Sequence, residues 1–215
     1  MHFGIIAEGK ADQAVIINLL YGLELVESDG DYSLLRPLNT LDDTTLSKSE
    51  YQEMTADEFS SWTLVKKDCE VGEKFSEFFN DNPFGEEKYI IIQIDTAECE
   101  LIGYDVLRPS KKMDDYCSLL REKVISRIKN WLDNKGLENQ LFFAICIEEM
   151  DAWVHTLYEN KDTSKPIDAK RVFRKCLVQK RQRDNKFKKK EQKLKNKSTY
   201  PVSYTHLTLP TILLV

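Results

Sequence analysis

The segment from Tyr89 to Asp95, YIIIQID, constrains this chain more than any other. Its isoleucines, interrupted only by Gln93, leave no polar face, so it reads as a strand covered on both sides, as in a parallel sheet. Asp95 stands where the run stops. Open α/β sheets gather their ligands at the carboxyl ends of the strands, which makes an acid at that point a candidate site residue. Two other segments share this build: Phe3 to Glu8 (FGIIAE) ends in Glu8, and Leu141 to Glu149 (LFFAICIEE) ends in Glu148 and Glu149. Three apolar strands ending in carboxylates predict one acidic site on one edge of a sheet.

The segments between these strands are mostly helical in pattern. After Gly9, which permits a tight strand-to-helix turn, Val15, Ile16, Leu19, Leu20 and Leu23 recur at the spacing of a helix laid on a sheet. Asp12 falls where a cap or first-turn acid is favoured. Tyr32 to Leu38 reads as a strand that Pro37 places at an edge or ends. Leu41 to Glu53 is polar and reads as loop with one short helix, and Ser60 to Lys67 reads as a short strand. Glu70 to Asn80 is a helix carrying Phe75, Phe78 and Phe79. Lys112 to Lys135 shows the clearest helical stripe (Tyr116, Leu119, Leu120, Val124, Ile128, Trp131, Leu132), with Gly136 at its stop. A short helix, Met150 to Tyr158, follows the third strand; Trp153 is expected under the sheet and His155 on the helix surface. Pro166-Ile167-Asp168 opens the last helix.

Together these segments predict a single α/β domain over residues 1–164, a mainly parallel sheet with helices on both faces, then a basic helix or arm over 165–200. A chain of 215 residues, 41% hydrophobic and 31% charged, is long enough for such a core. Charge is unevenly distributed. Lys165 to Lys197 holds 15 Lys and Arg against 3 Asp and Glu, a local charge of +12, which leaves −17 for the remainder. A basic arm on an acidic body fits a partner that bears phosphates or an acidic surface. Within it Lys180, Arg181, Arg183, Lys186, Lys188, Lys189 and Lys190 are the candidate phosphate contacts, joined by Lys10 in the Glu-Gly turn. Only Phe187 offers a stacking surface in the basic second half, so backbone contact is expected rather than base stacking. The five cysteines are odd in number, scattered and without metal-ligand spacing, and no secretory signal or membrane span is visible, which points to reduced thiols in the cytoplasm. From about Val202 onward, VSYTHLTLPTILLV drops all charge and closely resembles the peptide read from translated sequencing-adapter DNA, so residues 202–215 are expected to be non-native and no part of the fold.

Carboxylates at strand ends commonly hold Mg²⁺ or Mn²⁺ through hard oxygen ligands, and each such acid alone is equally well a helix cap. IIAEGKAD (Ile5 to Asp12) resembles the first motif of Toprim domains, the fold shared by topoisomerases, primases, small ribosomal-RNA maturases and OLD-type nucleases. YIIIQIDTAE resembles the second motif, a strand ending in Asp-x-Asp. ICIEEMDAW (Ile145 to Trp153) is similar to the Glu-rich segment of a group of small Toprim-like proteins associated with bacterial phage-defence loci and ATPase partners. The resemblance spans residues 3 to about 160. It implies Asp95 as the principal metal ligand, Glu8 as general acid/base or ligand, Asp12 as a second acid, and one of Glu148 and Glu149 completing the site. The activity implied is Mg²⁺-dependent cleavage of DNA or RNA. The sequence departs from the family at Ala97, which replaces the second acid of Asp-x-Asp; Glu98 and Glu100 are near but differently spaced. That departure admits a second expectation, a catalytically degenerate module that binds nucleic acid or docks on an ATPase partner. No Gly-rich phosphate loop is present, which argues against ATP hydrolysis by the chain itself.

Overall fold

In a computed structural model, residues 1–37, 61–82, 85–133, 136–159 and 168–183 are described. The region expected as loop with a short helix, the second half of the basic arm and the adapter-like tail lie outside them. The described chain runs β1 (His2–Ile6), α1 (Lys10–Gly22), β2 (Tyr32–Arg36), α2 (Ser61–Val71), α3 (Glu73–Asn80), β3 (Lys88–Asp95), α4 (Tyr116–Leu132), β4 (Leu141–Cys146), α5 (Asp151–Thr156) and α6 (Ala169–Arg183), with short 3-10 turns before β2 and β4. The strands form a four-stranded sheet in the order β2-β1-β3-β4. Every pairing is parallel. The predicted α/β domain with helices on both faces is the one observed.

The isoleucine run lies inside the sheet, between β1 and β4, and the pleat divides its side chains between two cores. Ile90, Ile92 and Ile94 face α2, α3 and α4, packing with Trp62, Val65, Phe75, Tyr116, Leu120 and Trp131. Ile91 faces the other way, with Phe3, Ile5, Ile16 and Leu20 of β1 and α1 and Met150 beside α5. β2 is the edge strand expected from Pro37 and ends at Arg36. Gly4 is required where β1 crosses the α3 side: a Cβ there would lie 2.7 Å from Leu35 Cδ1 and 3.2 Å from Phe78 Cζ.

One expected strand is a helix. Ser61 to Val71 forms α2 because Trp62, Val65 and Cys69 recur at helical spacing and all three are buried on the sheet. The short apolar run had no length to distinguish the two periods. Arg36 at the end of β2 and Lys74 of α3 both pair with Asp68 of α2, tying the edge strand to this layer. His155, expected on a helix surface, is buried at 4% exposure and packs its ring at a tilt against Phe173 of α6. α6 covers that face of α5, a docking that a periodicity pattern does not reveal.

Chain direction sets the location of a site. From β1 the chain proceeds outward through α1 to β2 on one side, and from β3 outward through α4 to β4 on the other. The order therefore reverses between β1 and β3. A crevice opens at such a switch point, beyond the carboxyl ends of the two strands.

Candidate functional site: an acidic cluster at the switch point

Glu8 and Asp95 occupy the two sides of that switch point. Glu8 follows β1 by two residues and its Oε1 accepts the backbone N–H of Asp95 at 2.7 Å. Between them lies Gln93, fully buried in an otherwise apolar strand. Its Oε1 accepts the Glu8 backbone N–H at 2.9 Å, and its Nε2 donates to Asp95 Oδ1 at 2.8 Å. A buried amide costs free energy unless bonded, so both ends being used makes Gln93 a brace that fixes Glu8 against Asp95. Tyr104, also buried, donates its hydroxyl to the Asp95 carbonyl at 3.1 Å, and the Met150 N–H reaches Asp95 Oδ2 at 3.4 Å.

Other acids surround this pair. Burial raises the carboxyl of Asp95 to about 9, and the charges of Glu8, Asp12 and Glu149 add to it, opposed by the Met150 N–H. Asp12, in the first turn of α1, is pushed up to about 6 by burial and by Asp151, with the Gly9 backbone and Lys170 acting against it. Like charges crowded into a poorly solvated place disfavour ionisation, and a protonated Asp95 relieves the crowding. Gly9 allows it sterically: a Cβ there would press on Asp12 Oδ2 at 3.2 Å. Glu8 thus meets Asp95 through a hydrogen bond, and the charges of Asp12, from the same β1–α1 unit, and of Glu149, from the turn after β4, bear on Asp95.

The two neighbouring glutamates part company. Glu149 Oε2 accepts the Lys170 N–H at the start of α6, 3.0 Å away, while its charge still bears on Asp95. Glu148 is turned aside: its Oε1 takes Arg108 Nη1 at 2.5 Å and Lys111 Nζ at 3.4 Å. A left-handed backbone at Glu148 (φ 67°) produces the split, since β4 ends at Cys146 before either glutamate. Arg108 also donates to the carbonyls of Thr96 and Ala97 at 2.8 and 2.7 Å, and so clamps the turn after β3. Burial works against the charge of Arg108, but the Glu148 carboxylate outweighs it and holds the guanidinium firmly protonated.

Ala97 lies exposed in that turn, its N–H donating to the Glu148 carbonyl at 2.9 Å. Glu100 reaches back to Arg108 and not to Asp95. Of the expected phosphate contacts, Lys10 is exposed at the start of α1 and Lys180 sits over the Tyr158 ring at 5.4 Å. Arg181 and Arg183 belong to the last turn of α6, and Lys186, Lys188, Lys189 and Lys190 lie outside the described residues. Gln93, Thr96 and Arg108 escaped the sequence reading. Gln93 alone had a legible signal, a polar residue two places before the acid in a run of isoleucines. Thr96, whose hydroxyl accepts the Glu148 N–H at 2.7 Å, and Arg108 act through contacts distant in sequence.

Carboxylate oxygens are what Mg²⁺ and Mn²⁺ bind, and crowded acids that repel one another gain from a cation between them. Among the described residues no helix is long and apolar enough to cross a membrane. No protein-family model, curated protein or solved structure matches the chain.

Proposed function

We propose that this protein is a Toprim-like, Mg²⁺- or Mn²⁺-dependent nuclease that acts on DNA or RNA phosphodiesters in the cytoplasm, in a phage-defence setting. The observation that carries this reading is Glu8 and Asp95 meeting across the switch point, braced by Gln93, with Asp12 and Glu149 within electrostatic reach. When bound, the metal supplies stabilisation of the charge that develops on a phosphodiester under attack. Asp95, Asp12 and Glu149 are the oxygens that would hold it. Glu8, oriented by the Asp95 N–H, is the group that would take or return a proton at the reacting oxygen. Arg108 and Lys111 would keep Glu148 out of the cluster and limit its negative charge. Lys10 and the basic residues of α6 would bind the nucleic-acid backbone, a contact that weakens as salt rises.

A second reading is favoured by Ala97, which offers no ligand oxygen: a degenerate Toprim-like module that binds nucleic acid or docks on an ATPase partner. Residue 97 is exposed, so an acid fits there at a cost within about 0.5 kcal/mol. The two readings separate in a Mn²⁺ titration combined with Mg²⁺-dependent cleavage of DNA and RNA, run on the native chain, Ala97→Asp and Glu8→Gln. The expected result is metal uptake by the native chain, binding about tenfold tighter (~1.4 kcal/mol) in Ala97→Asp, and cleavage lost in Glu8→Gln. Metal and nucleic-acid binding without cleavage, even in Ala97→Asp, would establish the module. Failure of both forms to take up metal would overturn the shared acidic site.

A further inference from the structure

A second group of ligand-type side chains lies where α5 packs on α6. His155 and Cys176 are each buried at 4% exposure, and Glu159 is half-buried. Their ligand atoms all lie within 4.8 Å of one another. His155 Nε2 faces Glu159 Oε2 at 3.5 Å but forms no hydrogen bond, although the atom is buried. A buried imidazole nitrogen without a hydrogen bond is costly, and one aimed at a carboxylate and a thiol is placed as a ligand. The ring cannot simply swing into water. Phe173 lies against it at 5.9 Å between centroids, and Tyr158 packs on the same phenylalanine at 5.4 Å.

We infer that His155, Glu159 and Cys176 form a transition-metal site of the zinc class, distinct from the carboxylate cluster. Imidazole and thiolate are ligands that zinc takes and magnesium avoids. Donors around a tetrahedral zinc stand about 3.3–3.8 Å apart, given bonds of about 2.0–2.3 Å, so the His–Glu separation already fits and the widest pair must close by about 1 Å. On binding, the Cys176 S–H proton leaves to solvent. The thiolate and the Glu159 carboxylate then neutralise the dication inside an apolar surround, with neutral His155 as the third ligand. Three protein ligands leave one coordination position for water. His155 and Glu159 are one turn apart on the α5 side and Cys176 lies in mid-α6, so the ion would pin the basic helix to the domain.

The test uses the full chain, reduced and stripped with a chelator, then titrated with Zn²⁺ and separately with Co²⁺. A thiolate-to-cobalt charge-transfer band in the near ultraviolet is expected, from one such ion per chain in addition to any held by the carboxylates. Cys176→Ser should remove the band and weaken Zn²⁺ binding by at least about 100-fold, because even outer partners of a metal site are worth 10–100-fold. Glu8→Gln and Asp95→Asn should leave band and affinity unchanged. Absence of the band in the native chain, its survival in Cys176→Ser, or its loss in Asp95→Asn would overturn the assignment. Should Cys176→Ser fail to fold, Glu159→Gln keeps the side-chain size and is read by the same titration. At least about tenfold weaker binding with a shifted cobalt spectrum supports the site, and unchanged binding and spectrum refute it.

Discussion

Asp95→Asn is expected to melt at a higher temperature than the native chain near neutral and alkaline pH, while losing Mn²⁺ binding and any metal-dependent cleavage. Its carboxyl sits at about 9 in the folded protein against an ordinary value of 3.8. The folded state therefore keeps a proton that the unfolded chain has released. Stability from this group is full below the ordinary value and declines as pH rises, until about 9. At about pH 7 the cost approaches an upper bound of about 4 kcal/mol, and roughly 2 kcal/mol is expected to be recovered, because an asparagine amide meets the Met150 N–H less well. Asp12, at about 6, adds a smaller decline in the same direction that ends nearer neutrality. Thermal melts of both proteins from about pH 5 to pH 9 give the check: the gap must widen with pH. A gap that is flat or narrows would mean that Asp95 is ionised in the folded state and that the acids do not crowd as described. Saturating Mn²⁺ should raise the native melting temperature at alkaline pH and leave Asp95→Asn unmoved.

Arg108→Ala should be the most damaging single change at the site. The guanidinium serves two backbone carbonyls and the Glu148 carboxylate, and the side chains of Arg108 and Glu148 are only 16% and 13% exposed. Removing it leaves a poorly solvated carboxylate with Lys111 as its remaining cation, and strips both carbonyls of a donor. A loss of about 2–4 kcal/mol follows, a drop of roughly 5–15 °C in melting temperature for a chain of this size. Arg108→Lys should recover less than half of it, since an ammonium cannot span the fork of contacts. Urea unfolding measures both. A loss under about 0.5 kcal/mol in Arg108→Ala would show the clamp to be a surface pairing of no weight.

Much of the fold is written in the apolar pattern: β1, β3 and β4 in runs covered on both faces, α1 and α4 in residues at helical spacing that bury one face. The segment at Trp62 misleads because it is short, and a short apolar run does not distinguish a strand from a helix. The acids at strand ends were legible as candidates. Their assembly was not, since the choice between Glu148 and Glu149 depends on one left-handed residue and on Arg108, forty positions earlier in sequence. His155 was misjudged for a comparable reason, its burial being conferred by α6 and not by the helix that bears it.

The parallel pairing of β1 with β3 joins residues such as His2 and Lys88, with two helical layers and an edge strand between them in sequence. Closing so long a loop is slow relative to forming local helices. Until β1 docks, Tyr89 to Ile94 is an exposed β-branched segment of the kind that seeds intermolecular strand pairing. Gln93 and Asp95 interrupt and terminate that segment, so the residues that build the acidic cluster also act as gatekeepers against self-association during folding.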